Sequence, residues 1–216
     1  MKKRQNYFKN INKNNNVTIP DHTAYAWADD PKHLVFSLSR YKFVAKMLQG
    51  YKNVLEIGAG DGFQSRLVDK EVKNLVLSEV FQENKDLFKK NKFNKNTFII
   101  HDFIKESIKQ KFDAIYLLDV IEHIQKKQVN KFTKNILDSL KNQGVVIIGT
   151  PTIESQKYAS KFSKRGHVNC YTKSRLKKFM QKYFYNVFMF SMNDEVVHTG
   201  YDAMSHYIFA ICSNKK

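Results

Sequence analysis

The stretch Val54-Leu55-Glu56-Ile57-Gly58-Ala59-Gly60-Asp61-Gly62 runs an apolar segment into a glycine-rich turn, and the reading of this junction decides the fold. Only a turn without Cβ atoms lets a ligand come close to its backbone, so the junction marks a candidate binding loop at the end of a strand. A dinucleotide fingerprint needs a third glycine where Phe63 stands, and would seat a pyrophosphate on the helix that follows. Phe63 argues against that ligand.

Outward from this junction, β-rich runs alternate with helical ones. Strands are predicted at 53–57 (NVLEI), 74–79 (NLVLSE), 97–101 (TFIIH), 112–119 (FDAIYLLD) and 144–149 (GVVIIG), with helices after Gly62, over 82–91 and over 126–141. Such alternation implies βαβ units and an α/β fold with a parallel sheet covered on both faces. Before the first strand, Leu34, Val35, Leu38, Tyr41, Val44, Ala45 and Leu48 recur with helical spacing, which predicts an amphipathic helix over 33–48. After Thr150 a long polar loop leads to a helix over 173–183 and to strands at 186–192 and 205–212. The gap between those two strands is too short for a helical crossover, so they should be antiparallel. The expectation is a mostly parallel seven-stranded sheet with helices on both faces and an antiparallel C-terminal strand pair. It forms a single domain over 21–216 behind a flexible basic arm over 1–20, which lacks any sustained hydrophobic period.

A chain of 216 residues with 42% hydrophobic content and 17 Phe can bury one sizeable core. Its apolar runs are too short to cross a bilayer, and the opening MKKRQNYFKNINKNNN lacks the apolar stretch of a secretory signal, so a cytoplasmic location without membrane contact is expected. Cys170 and Cys212 have no CxxC spacing, which argues against a disulfide scaffold or a cysteine zinc site. Lys and Asn abound throughout, a general compositional bias whose Lys content accounts for much of the net charge of +17, but two tracts concentrate that charge. Residues 1–20 hold five Lys or Arg and no acid, and 154–182 hold nine against one Glu. A phosphate or carboxylate would be drawn there. No internal repeat or spacing speaks to the oligomeric state.

Three acids stand at the ends of the later strands: Glu79, Asp102 before Phe103, and Asp119 before Val120-Ile121-Glu122-His123. Together with Glu56, two residues before Gly58, they lie where open α/β sheets bind ligands, outside the carboxyl ends of strands. In this order the motifs resemble the class I S-adenosylmethionine-dependent methyltransferases, and the Glu-His pair is similar to that of the ubiquinone-type small-molecule O-methyltransferases. The resemblance spans roughly 33–212, with its specific part at 53–149. It implies a Rossmann-like fold and S-adenosylmethionine (SAM) as cofactor. It also implies a cofactor site made by Glu56, Gly58, Ala59 and Gly60 at the first loop and by Glu79 at the ribose hydroxyls. Val80 and Phe81 would flank the adenine, Asp102 and Phe103 would face its amino group and ring, and Leu118, Asp119 and Val120 would face the methionine part. Taken alone, Asp102 reads as a cap of the turn that follows it, but its place in the series favours the adenine role. Arg40, on the helix before the first strand, either pairs with the SAM carboxylate or sits in solvent.

The methyl acceptor must be aligned and relieved of its proton. His123 and His167 are the candidate catalytic residues, each with a structural histidine as the alternative. Tyr25, Arg165 and His198 are the candidate acceptor-binding residues, Tyr25 with Trp27 as an aromatic lid or a core anchor, His198 and Tyr201 as a closing loop. The basic loop suits a small anionic acceptor such as a phosphorylated sugar or a nucleotide-linked intermediate, methylated on O or N. The runner-up is RNA methylation, since some small-RNA 2′-O-methyltransferases use Glu-x-x-Glu-His and a later His to hold a divalent ion. Asp119, Glu122, His123 and His167 would be the corresponding metal set, with its first Glu shortened to Asp. Against it stands the lack of any recognisable RNA module. A silent SAM-binding protein is the third reading.

Overall fold

The computed structural model describes residues 19–90 and 96–216. The basic arm expected over 1–20 therefore lies, apart from Ile19 and Pro20, outside the described residues, as does the end of the helix expected over 82–91. Two helices open the described chain, α1 (Asp21–Asp29) and α2 (Pro31–Met47). Asp30 separates them: its extended backbone ends α1, its side chain accepts from Lys32 N at 3.2 Å, and Pro31 fills the first turn of α2.

Strands β1 (Asn53–Ile57), β2 (Asn74–Glu79), β3 (Thr97–Ile100), β4 (Phe112–Leu118) and β5 (Leu140–Pro151) are parallel neighbours in the order β3-β2-β1-β4-β5. Between them lie α3 (Arg66–Asp69), α4 (Gln82–Lys90) and α5 (Val129–Ser139). The chain closes with α6 (Lys161–Gly166), α7 (Lys173–Met180), β6 (Phe184–Asn193), β7 (Val196–His198) and β8 (Tyr207–Lys215). β8 inserts antiparallel between β5 and β6, and β7 pairs on the outer edge of β6.

The architecture is the expected Rossmann-like one, enlarged by a short eighth strand. Val196–His198 falls in the span read from sequence as a mere connection, and it forms by folding straight back on β6 through Asp194, whose φ of +50° makes the turn. The helix expected after Gly62 shrinks to four residues, because successive turns carry the chain from Gly60 to Ser65. The loop after Thr150 acquires structure too: a 3₁₀ turn at Glu154–Tyr158, and α6, whose Ser160 cap accepts from Ser163 N at 3.0 Å.

The central strands are buried on both faces, and their side chains sort by the two-residue period. Leu55, Ile57, Ile115, Leu117, Val146, Ile148, Ile208 and Ala210 meet Phe132 and Ile136 of α5 and Leu176, Phe179 and Met180 of α7. Val54, Ala114, Tyr116, Leu118, Ile147, Tyr207 and Phe209 meet Tyr41, Val44 and Ala45 of α2, Val68 of α3 and Phe88 of α4. Each fully buried side chain of this kind contributes on the order of 2 kcal/mol. The strand order reverses between β1 and β4, so the loops leaving those two strands flank the crevice where such sheets take their ligands.

Candidate active site

Gly58, Gly60 and Gly62 all have φ between +55° and +75°, but their surroundings differ. A Cβ on Gly58 would overlap the Cγ2 methyl of Val120, and one on Gly62 would lie 2.7 Å from Phe88 and 3.0 Å from Leu77. A Cβ on Gly60 would meet nothing within 4 Å. Gly60 alone of the three therefore offers bare backbone to open space. At Gly58 the expectation from sequence is corrected in its cause, since the room left by its missing side chain is taken by Val120 of the β4 loop.

Glu79, at the end of β2, reaches across this loop. Its Oε2 accepts from Gly60 N at 3.0 Å and its Oε1 from Val80 N at 2.7 Å. Oε1 also accepts from Phe81 N at 3.4 Å, whereas Oε2 has Gly60 N as its one donor among the described residues and keeps further accepting capacity, so Glu79 fixes the loop and remains an acceptor beside it. Val80 and Phe81 follow it, both exposed. Ala59 is buried, and its N–H, like that of Gly58, donates to Ser78 O.

Glu56 does not face the crevice. It is 1% exposed, and its two oxygens accept from Tyr41 Oη at 2.9 Å and Tyr116 Oη at 2.6 Å. Burial pushes its carboxyl up to about 7, and the same burial lifts both phenols well above their usual range. Its place follows from the strand period, which turns residue 56 toward α2. Asp102 caps the turn that follows it, its Oδ1 accepting from Ile104 N at 2.9 Å and its Oδ2 lying 3.5 Å from Lys105, while its side chain stays partly exposed. Phe103 is 2% exposed in the core, edge-on to Phe132, so its face is not open to an adenine.

At the end of β4, Leu118 is buried and Asp119 adopts φ +56°, its N–H donating to Gly149 O. Asp119 Oδ2 accepts from Arg40 Nη1 at 2.9 Å, and the guanidinium lies 4.1 Å over the ring of Tyr207. Burial pulls the Arg40 pKa down, but Asp119 and other neighbours outweigh it and raise it. Arg40 is thus already paired within the protein. Tyr207, which no sequence motif singles out, forms the floor of this pair.

Beyond Asp119, a 3₁₀ turn at Ile121–His123 gathers the second half of the site. Glu122 is fully buried, with Oε2 accepting from Thr150 Oγ1 at 3.0 Å and Oε1 without a hydrogen-bond partner among the described residues. Burial, then the nearby Asp119, push its carboxyl above the usual range. The exposed His123 and half-buried His167 stack edge to face at 5.1 Å between centroids. One ligand atom from each of Glu122, His123 and His167 lies within 4.8 Å of the others. Asp119 is not in that cluster; its pairing with Arg40 corrects the four-residue metal set expected from sequence.

The two histidines meet although 43 residues separate His123 from Gly166, because the carbonyl of Gly166 lies 3.0 Å from His123 Nδ1 and Asn169 N donates to Glu122 O at 2.9 Å. A carbonyl only accepts, so Nδ1 of His123 carries the proton and its Nε2 keeps a lone pair. Burial, then the facing His123, lower the pKa of His167. Arg165 is exposed next to this pair, at the end of α6 with Lys161 and Lys164. Tyr25 and Trp27 are exposed on α1, 69% and 62%, so neither is a core anchor. His198 stands apart from the cluster: its Nε2 lies 2.7 Å from Asn193 Oδ1 and its Nδ1 accepts from Gly200 N at 3.0 Å. Both nitrogens are spent inside its own hairpin, against the acceptor-binding role expected of it.

A family model described as a methyltransferase domain matches residues 21–188. Among solved structures, the chain is similar to the N-methyltransferase NodS from Bradyrhizobium japonicum WM9 in complex with S-adenosyl-L-homocysteine. That likeness has a TM-score of 0.66 at 17% identity, covering 90% of this chain and 93% of that one. It is similar to the methyltransferase domain of the bacterial CtHen1-C, with a TM-score of 0.66 at 18% identity over 82% of this chain and 98% of the other. The DhpI–SAH complex gives 0.66 at 13% identity, covering 88% and 90%. No curated protein matches the chain in sequence.

Proposed function

The chain belongs to the methyltransferase-domain family matched over residues 21–188, and from that premise we propose that it moves a methyl group from SAM to an O or N atom of a small anionic acceptor. The observation that carries this reading is the open space over Gly60, beside Glu79 and the exposed Val80 and Phe81, with the His123–His167 pair likewise beyond the carboxyl ends of the central strands. The residues fit such a donor: bare backbone at Gly60 for close approach, Glu79 as acceptor for ribose hydroxyls, Val80 and Phe81 as apolar surface, and the Asp119–Val120 loop opposite. When bound, SAM supplies a methyl carried on a sulfonium, open to in-line displacement. The acceptor's proton goes to an imidazole Nε2, that of His123 or His167, both on the face away from their carbonyl-type partners. Lys161, Lys164 and Arg165 next to His167 supply the positive field that draws an anionic acceptor in.

A second reading has its own observation. The unpartnered Glu122 Oε1 and the two imidazoles form a mixed oxygen and nitrogen set able to hold a divalent ion, as metal-assisted 2′-O-methylation of RNA requires. In that case the ion would polarise the acceptor hydroxyl, and His123 and His167 would be ligands. The test is to incubate the purified chain with SAM and either phosphorylated metabolites or short RNAs, with and without a chelator, following S-adenosylhomocysteine. Turnover of the metabolites that survives the chelator supports the first reading, and chelator-sensitive turnover of RNA replaces it with the second. SAM binding with no turnover in any mixture leaves a silent binding protein. With an acceptor in hand, His123→Ala should lower turnover on the order of 100-fold while leaving SAM affinity within a few-fold. Equal loss of both would make His123 structural.

A further inference from the structure

Gln156 lies in the loop after β5 and has no part in any motif, yet its side chain touches the candidate chemistry. Its Oε1 is 2.7 Å from His167 Nδ1, and its Nε2 donates to Thr152 O at 3.2 Å. The second contact fixes the first. A carbonyl cannot donate, so turning the amide over would set two oxygens against each other at Thr152 and remove that hydrogen bond.

Thr152 O is itself well held. Ser155 Oγ donates to it at 2.9 Å, so both of its lone pairs are used. Thr152 is buried, its N–H donates to His206 O at 3.0 Å, its Oγ1 donates to Ser205 O at 2.7 Å, and it bridges to Tyr171. The amide oxygen of Gln156 is thereby aimed at His167 by a rigid corner of the sheet.

We infer that Gln156 is a positioning residue that locks His167 in the tautomer with the proton on Nδ1, so that its Nε2 lone pair is presented to the site. An amide oxygen only accepts, and the His167 nitrogen facing it must therefore be the donor. His123 is fixed in the same sense by the Gly166 carbonyl. The two rings thus reach the site with like tautomers, each with an Nε2 that has no hydrogen-bond partner among the described residues, although their Nδ1 partners come from different segments. Orientation of an imidazole through its remote N–H is what such partners do for either a proton acceptor or a metal ligand. The catalytic consequence rests on the proposed function above, whereas the tautomer itself does not.

The experiment is NMR of the full chain with isotope-labelled histidine, the His167 signals being assigned with His167→Gln, for the wild type, Gln156→Leu and Gln156→Glu. The ring carbon and nitrogen shifts separate the two neutral tautomers without any acceptor or SAM. The wild type should show the Nδ1–H form, Gln156→Leu should shift His167 to a mixture or to the Nε2–H form, and Gln156→Glu, which must turn its second oxygen away from Thr152 O but still brings an acceptor to the ring, should keep the proton on Nδ1. An Nε2–H wild type, or a Leu variant that keeps Nδ1–H with unchanged backbone signals, would overturn the inference. Where turnover is measurable, Gln156→Leu should lower kcat on the order of tenfold at unchanged SAM KM, with recovery in Gln156→Glu. A tautomer that follows residue 156 while kcat stays constant removes His167 from the reaction and leaves the hold of Gln156 on its ring standing.

Discussion

Gly58→Ala separates packing from ligand approach at the first loop. Two costs arise at once. At φ +75° a side chain carries roughly 1–2 kcal/mol of backbone strain, and the new Cβ must displace the Cγ2 methyl of Val120, an overpacking of roughly 1–3 kcal/mol. The variant should therefore lose about 2–5 kcal/mol of stability. Val120→Ala removes that methyl and leaves Val120 Cβ 3.7 Å from the new atom, an ordinary contact. In the double variant the overpacking should vanish and the strain remain, giving a coupling of about 1–3 kcal/mol between the two sites. Urea unfolding of the four proteins with constant m-value reads this directly. Costs that add within about 0.5 kcal/mol would refute the contact. Gly60→Ala is the control in the other direction: it pays the φ strain alone, but sets a methyl in the space left for the donor, so calorimetry with SAM should show weakened binding. Wild-type affinity there would sink the assignment of Gly60 as the open backbone.

Glu56 makes a prediction about pH. Its folded pKa of about 7, above an ordinary 4.5, means that the folded state holds more protons in that window, so its contribution to stability falls as pH rises from about 4.5 through 7. At about 1.4 kcal/mol per pH unit the swing is on the order of 3 kcal/mol. Glu56→Gln cannot titrate, so thermal or urea unfolding should show the variant gaining on the wild type by that amount across the window, and a gap that stays flat with pH would refute a buried, protonatable Glu56. Asp119 combines a charge with φ +56°, and the two can be divided. Asp119→Asn, which tolerates that backbone, should lose only the ion pair with Arg40, while Asp119→Leu should lose roughly 1 kcal/mol more in strain. Equal stabilities of the two variants in urea would contradict the strained backbone.

Much of the fold was legible because its signals are local. Strands such as Leu75–Leu77 and Ile115–Leu118, buried on both faces, must be apolar without interruption, and the turns between them need glycine or a capping acid. The eighth strand was not, since Val196-Val197-His198 is too short to carry a pattern and forms only because β6 offers it an edge. The site was legible in part. Glu79, Val80 and Phe81 stand beside the Gly60 loop as their spacing suggests, whereas Glu56 and Phe103 turn into the core. Sequence spacing places a residue at a strand end but does not say which way it points. His123 and His167 could be named as candidates from residue type alone, but Gln156 has no signal at all, being one polar residue in a polar loop.

On its own, the order of residues settled most of the strands and helices, how most of the strands must run, and where along the chain a glycine-rich loop leaves the first strand, because each of these depends on neighbours a few positions apart. Only the folded chain decided which glycine faces open space, that Arg40 is held by Asp119 over Tyr207, and that Glu122, His123 and His167 share one corner. Those outcomes turn on contacts between side chains tens of residues apart, where an ångström of approach or the choice of strand face changes the partner, and no local pattern of residue types carries that information.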